Sequence, residues 1–336
     1  MKKILVIGSN NRGSLEQSYF RSIKKVYPST SFFDYKKETL PFIRGGKIGK
    51  LIHSFLPVEQ WNRKMNRILI IEVKQQQPDV LFFFAKASIL YGTLACIKTI
   101  FPKIKIVWIW PDTPMNLENC NLQNAPFIDY LGTYSSSSVD VFKKLGYSLV
   151  DFLPLGSDKG MHLISTLPIQ YDWDIGFVGG WRPEREAVMQ KIVDNFGHLK
   201  IAIHGPNWKK MLKGSVLVSR VISSGLYEDE LASFFNRTRI NINVIDDTNY
   251  PAANMRFFEI PISCSLQLAS KCPEMESEFV DNQDIVYFED TDELLAKVEY
   301  LVENPKICQN IALSGYTKTL EKHTYDVRVH QVFSYL

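Results

Sequence analysis

Short apolar runs alternate with amphipathic stretches through the first half of the chain. Read by period, strands are predicted at Ile4–Ile7, Ser31–Asp34, Val80–Phe84, Ile104–Trp110, Leu131–Tyr134 and Val150–Leu153. Helices are predicted between them, at Leu15–Val26, Gln60–Gln76, Ser88–Phe101 and Ser137–Lys144. Val80–Phe84 is apolar at every position, as a strand covered on both faces must be. Strands alternating with helices in this way build a parallel sheet from βαβ crossovers.

The rhythm breaks between Gly156 and Tyr171, where Gly156-Ser157-Asp158-Lys159-Gly160 and Leu167-Pro168 read as a linker. It then resumes. Strands are predicted at Asp174–Val178, Ile201–Ile203, Ile240–Val244, Ser265–Ala269 and Ile285–Phe288. Helices are predicted at Glu184–Phe196, Glu228–Asn236, Met255–Ile262, Thr291–Val302 and Pro305–Leu320, with a last one near Tyr325–Tyr335. The expected organisation is α/β, with two doubly wound, Rossmann-like domains at 1–156 and 172–320, a linker at 157–171, and a C-terminal helix in 321–336 packing back on the first domain. Doubly wound sheets bind ligands at the carboxyl ends of their strands. The expected site is therefore a central cleft between two facing sheets.

Length agrees with this division, since 336 residues exceed what one hydrophobic core usually supports. A net charge of +3 lacks the strongly basic footprint of a nucleic-acid binder. The five cysteines, Cys96, Cys120, Cys264, Cys272 and Cys308, are scattered and form no CxxC pair, which suits structural thiols in a reduced compartment. The apolar run Ile4–Ile7 is too short for a signal-peptide core, and no stretch approaches the roughly 20 apolar residues of a membrane span. A cytoplasmic location is the expectation.

Candidate chemistry concentrates in the second half. In Val178-Gly179-Gly180-Trp181-Arg182-Pro183-Glu184-Arg185 a strand ends in a glycine turn and a helix begins at a proline. Glycines let backbone amides approach a phosphate, and a helix N-terminus adds its dipole. Arg182 and Arg185, one turn apart, are suited to a diphosphate because the guanidinium fork binds phosphate oxygens in pairs. A tight turn carrying two surface arginines is the other reading. In Ile203-His204-Gly205-Pro206-Asn207-Trp208, Gly205 and Trp208 stand where a nucleotide base would pack, unless this is a plain turn with a partly buried tryptophan. His204 is single and is not read as a metal ligand. Leu226 and Tyr227 precede an acidic helix start and are candidates to line the base pocket.

The segment Asn254-Met255-Arg256-Phe257-Phe258-Glu259-Ile260-Pro261 is the most informative. Arg256 and Glu259 share a helical face, and the apolar residues around them predict burial. Buried charges are costly unless paired or used. A carboxylate here is placed to accept hydrogen bonds from ribose hydroxyls.

These segments, in this order, resemble the GT-B glycosyltransferases with a group 1 type C-terminal domain, and in particular the branch that includes the spore-maturation protein CgeB. The resemblance rests on Val178-Gly179-Gly180-Trp181-Arg182, Gly205-Pro206-Asn207-Trp208, Asn254-Met255-Arg256-Phe257-Phe258-Glu259 and His323-Thr324-Tyr325-Asp326-Val327-Arg328, and covers about 174–328. It implies a nucleotide-sugar donor whose ribose is held by Glu259 and whose diphosphate is neutralised by Arg182 and Arg185, with Asn254 and Arg256 nearby. Fixed cations would stabilise the charge growing on the departing nucleoside diphosphate. It implies no metal and no cofactor, and Asp246-Asp247 reads as a polar loop. Many retaining members carry a second glutamate eight residues before the ribose glutamate. Here that position is Pro251, so inversion and retention both stay open.

The N-terminal half echoes the family more weakly. Gly8-Ser9-Asn10-Asn11-Arg12-Gly13 lacks the dinucleotide fingerprint because Asn10 replaces its second glycine. Gly8, Ser9 and Asn10 are expected on the acceptor side, together with Trp110 and Asp112. Asp112 is a candidate base for an acceptor hydroxyl. The alternative is that Trp108 and Trp110 pack in the core and Asp112 merely opens a turn. Arg44, Lys47, Lys50, Arg63, Lys64 and Arg67 interleave with Leu51, Ile52, Phe55, Leu56 and Trp61, a pattern of either an anionic-membrane contact or an ordinary amphipathic helix. The expected partners are a nucleotide sugar and a glycan or lipid-linked acceptor, in cell-surface polysaccharide synthesis. A nucleotide-sugar epimerase of the same architecture and a non-catalytic nucleotide-sugar-binding protein are the competing readings.

Overall fold

A computed structural model describes residues 2–39, 58–84, 87–117, 122–212 and 214–336. It divides into two units, residues 1–154 with 329–336, and residues 155–328.

The first unit is a six-stranded parallel sheet of β1 (Ile4–Gly8), β2 (Thr30–Asp34), β3 (Val80–Phe84), β4 (Lys105–Trp110), β5 (Tyr130–Thr133) and β6 (Val150–Phe152), in the order β2-β1-β3-β4-β5-β6. Every residue of β1 and β3 is buried, as the unbroken apolar runs require. The crossovers include α1 (Leu15–Val26), α2 (Tyr35–Thr39), α3 (Val58–Gln76), α4 (Tyr91–Ile100) and α5 (Val139–Lys144). Helix α1 begins where Ser14 Oγ accepts from the Gln17 amide and ends on Lys24 and Lys25, so capping and dipole agree with its span. Of the basic-apolar stretch, Arg63, Lys64 and Arg67 are exposed on α3. Arg44, Lys47, Lys50, Leu51, Ile52, Phe55, Leu56 and the Trp61 side chain lie outside the described residues, as does Cys120. Among the described residues no helix is long and apolar enough to cross a membrane.

The second unit repeats the architecture with β7 (Trp173–Val178), β8 (Ile201–His204), β9 (Val221–Ser223), β10 (Thr238–Asn243), β11 (Gln267–Ser270) and β12 (Val286–Phe288), all parallel and ordered β12-β11-β10-β7-β8-β9. Its helices are α6 (Lys159–His162), α7 (Pro183–Phe196), α8 (Trp208–Met211), α9 (Glu228–Asn236), α10 (Arg256–Ile262), α11 (Thr291–Glu303) and α12 (Pro305–Lys322). Residues 157–171 are part of this unit. Asp158 Oδ1 accepts from the Gly160 amide to start α6, Ser263 Oγ donates to the His162 carbonyl, and Asn236 donates to the Thr166 carbonyl. The last helix, α13 (Tyr325–Phe333), starts in the second unit and finishes in the first.

Strand β9 has no counterpart among the predicted elements. It is three residues long, follows a 3-10 turn at Val216–Arg220, and pairs with β8 through an irregular register. An edge strand this short carries no period to detect.

Candidate functional site

In the second unit the central strands β7, β8 and β10 end side by side, and the loops after them carry most of the candidate residues. The first loop is Gly179–Gly180. It is bound to the loop after β8 by the Gly179 amide, which donates to the His204 carbonyl at 2.9 Å, and by the Trp181 amide, which donates to the Pro206 carbonyl at 3.0 Å. Gly205 makes this approach possible. At φ +157° its missing Cβ would lie 1.8 Å from the Gly179 carbonyl oxygen. The third partner is Trp208, whose Nε1 donates to that same oxygen at 2.7 Å.

Trp208 is thereby corrected from a base-packing residue to a core residue. Its ring is 0% exposed and meets Phe177 edge to face at 5.6 Å, so no face remains for a ligand. His204 is also buried. Its Nδ1 lies 2.8 Å from Ser223 Oγ, and burial lowers its pKa to about 4. Leu226 is half-buried against the apolar cluster that includes Val178 and Phe234, while Tyr227 is exposed at the start of α9.

Helix α7 starts at Pro183 with Arg182 at its N-cap, and no side chain caps its first amides. The two arginines of this turn are held by a residue that composition alone left as loop polarity. Asp246, 1% exposed, accepts from Arg185 Nη2 at 2.9 Å through Oδ2, and the same oxygen lies 3.0 Å from Arg182 Nε as an ion pair. Its Oδ1 accepts from Thr248 Oγ1 at 2.6 Å and Asn249 Nδ2 at 2.7 Å. Burial opposes the charge on Asp246, but the Thr248 and Asn249 hydrogen bonds and the two guanidinium groups outweigh it and hold the carboxyl below the usual range. Arg185 is nearly enclosed: Nη1 donates to the Gly180 carbonyl at 3.0 Å, and burial lowers its pKa despite Asp246. Arg182 keeps 45% of its side chain exposed.

Helix α10 supplies the third group. Asn254 Nδ2 donates to Asn243 Oδ1 at 2.8 Å, and Asn254 Oδ1 accepts from the Phe257 amide at 3.2 Å, which fixes the start of the helix to the end of β10. Pro261 has no amide for the Phe257 carbonyl one turn back, and Gln267 Nε2 donates to that carbonyl instead at 3.3 Å. Glu259, 2% exposed, is ion-paired with Arg256 and lies 3.9 Å from His162 Nε2. Arg256 Nε also donates to the Val178 carbonyl at 3.2 Å, and its guanidinium lies over the Phe235 ring at 5.9 Å. Glu259 is thus a buried carboxylate paired with a half-buried Arg256 beside the end of β7.

His162 was missed. It lies in the stretch read as a linker, and only the packing of α6 on α10 brings it to Glu259. No period or motif in the sequence marks it.

The acceptor-side candidates belong to the first unit. Gly8 closes β1, and a Cβ there would lie 2.5 Å from Glu16 Cβ, so the glycine serves the packing of α1. Ser9 is buried, and its carbonyl accepts from Ser14 Oγ at 2.8 Å, while Asn10 is exposed. Trp110 is corrected from a sugar-facing aromatic to a core residue. It is 2% exposed, packs edge to face on Trp108 at 5.5 Å, and donates through Nε1 to the Thr113 carbonyl. Asp112 is half-buried, and its Oδ1 accepts from the Thr113 amide at 2.8 Å, which opens the turn after β4.

Residues 182–334, a little under half of the chain, match the family described as glycosyl transferase-like. No curated protein matches the chain in sequence. Solved structures match it in fold. HepE from Anabaena, crystallised with UDP-glucose, is 13% identical with a TM-score of 0.70, over 99% of both chains. TarM, from S. aureus, is 10% identical with a TM-score of 0.68, over 100% of this chain and 98% of its own. A glycosyltransferase from Rickettsia africae is 12% identical with a TM-score of 0.67, over 99% and 97%. The chain has the GT-B fold, and residues 182–334 are similar to the glycosyl transferase-like family.

Proposed function

We propose that this chain is a glycosyltransferase that moves a sugar from a nucleotide-diphosphate-sugar donor to a glycan or lipid-linked acceptor in cell-surface polysaccharide synthesis, without a metal. The observation that carries the reading is the exposed guanidinium of Arg182 at an uncapped helix start after a glycine turn, within the glycosyl transferase-like domain. A cation and free amides at one point suit a diphosphate. As the glycosidic bond to the donor phosphate breaks, negative charge grows on the leaving oxygen, and Arg182 is placed to stabilise it. Structural neighbours support the donor class, since HepE was crystallised with UDP-glucose and a TarM variant with UDP and α-GlcNAc-glycerol.

Glu259 is the candidate for the ribose hydroxyls. The carboxylate oxygen facing His162 at 3.9 Å is less firmly engaged than the one paired with Arg256 and is the one offered to a hydroxyl. Gly180, Leu226 and Tyr227 are assigned to the donor, and Asp112 in the first unit to the acceptor proton. A cytoplasmic enzyme with peripheral membrane contact completes the reading.

The test is a thermal-shift series with UDP, GDP, TDP, CMP and NAD on the wild type and on Glu259→Gln. A ligand at a hundredfold excess over Kd stabilises the fold by about 2.7 kcal/mol, which is easily seen. One nucleoside diphosphate should stabilise the wild type and lose most of that effect in the variant. An equal response from both proteins, or none from either, would sink the assignment. Release of nucleoside diphosphate that depends on an acceptor then separates transfer from plain binding.

A further inference from the structure

Two arginines converge on one buried carboxylate, and their surroundings divide them. Arg185 is engaged at both ends of its fork, by the Gly180 carbonyl and by Asp246, and its side chain is largely buried. Arg182 Nε lies 3.0 Å from Asp246 Oδ2 as an ion pair, and its side chain is 45% exposed. A buried anion beside Nε restrains where the guanidinium sits, while the exposed side chain stays open to a ligand. Asp246 in turn cannot swing, because Thr248 and Asn249 occupy its other oxygen.

We propose that Asp246 is the positioning residue of the donor site, an internal anion that aims the Arg182 fork at the diphosphate while Arg185 serves as a buried brace and does not touch the ligand. The proposal rests on the donor-site reading above. It also changes the expectation that both arginines bind phosphate. An unanchored arginine must lose its rotamer freedom when it binds, and a pre-aimed one has already done so. The carboxylate leaves the trio with a net charge of +1, so its removal raises the local positive charge. A purely Coulombic site would then bind a diphosphate more tightly, whereas a positioned fork would bind it less tightly.

These opposite signs make the test. Binding of UDP, GDP and TDP, and of inorganic pyrophosphate, is measured by calorimetry on the wild type, Asp246→Asn, Arg182→Lys and Arg182→Ala. Asp246→Asn should weaken binding of the recognised diphosphate about tenfold or more. Arg182→Lys, at an exposed side chain that leaves the fold intact, keeps the charge but lacks the Nε anchor and the fork, and should lose nearly as much as Arg182→Ala. The double variant Asp246→Asn/Arg182→Lys should be little worse than either single one, since both break the same contact. Unchanged or tighter binding by Asp246→Asn overturns the proposal. If that variant does not fold, full retention of binding by Arg182→Lys overturns it equally. In both cases a wild type that binds leaves the donor-site reading standing. A wild type that binds no nucleoside diphosphate removes the reading and the proposal with it.

Discussion

His323 shows how burial and neighbouring charge fix the protonation of a side chain. Its Nδ1 lies 3.0 Å from Arg328 Nη2, and because arginine only donates, Nδ1 accepts and the proton sits on Nε2, which faces Glu278 at 3.6 Å. Burial first, then Arg328, Lys322 and Lys318, lower its pKa from 6.5 to about 3. The unfolded chain takes up this proton below pH 6.5, and the folded chain does not until about pH 3. Its contribution to stability is therefore full above 6.5 and is lost as the pH falls from there through about 3. Between pH 7.5 and 5.5 this one group should cost about 1.4 kcal/mol. Urea unfolding of the wild type and of His323→Gln at those two values should show the variant's fall to be smaller by about that amount. Parallel falls in the two proteins would show that His323 is not kept neutral. His204, lowered to about 4 by burial, adds a second loss of the same sign.

At the scale of elements, the site depends on loops that touch. Gly205 brings the turn after β8 against the turn after β7, so that Trp208 and the His204 carbonyl can bind Gly179. Any side chain at 205 both strains a positive φ and collides with backbone. Gly205→Ala should cost about 3 kcal/mol or more and weaken diphosphate binding, because the glycine turn ahead of Arg182 must move. A urea midpoint within error of the wild type would show that the two turns separate freely. Helix α10 illustrates a different dependence. It tolerates Pro261 because Gln267, on β11, supplies the donor that the proline lacks.

At the scale of the whole molecule, the chain passes between its units twice, after Pro154 and after Arg328. The second unit is one continuous segment, and the first is completed only by the last eight residues. Those residues bury Val329 and Val332, set Phe333 against Tyr27 in a tilted ring contact at 4.7 Å, and let Gln331 donate to Asp151 and to the Phe152 carbonyl. Each buried apolar side chain is worth about 1.5–3 kcal/mol, so deletion of 329–336 should destabilise the first unit by several kcal/mol. Limited proteolysis should then cleave within 1–154 while 155–328 persists. Equal resistance of the two units would show that the tail is dispensable.

Much of the architecture was legible because it is local. The apolar runs of β1 and β3, the helical period of α1 and the acidic start of α9 are set by neighbouring residues, and the structure has these elements where the pattern puts them. The burial of Glu259 was legible for the same reason, since it sits on an otherwise apolar helix, whereas Arg256 at the start of that helix stays partly exposed. What stayed hidden depends on partners far apart in the chain. Asp246 reads as loop polarity until Arg185, 61 residues earlier, is seen on it. Trp208 reads as a ligand contact until its indole is found on Gly179, 29 residues earlier. His162 reads as linker until α6 packs it beside Glu259. Sequence by itself determined the two-unit α/β pattern, because hydrophobic period follows from which face of each element is covered. Tertiary structure alone decided which charges are anchored and which are left for a ligand, because burial and pairing arise only when distant segments meet.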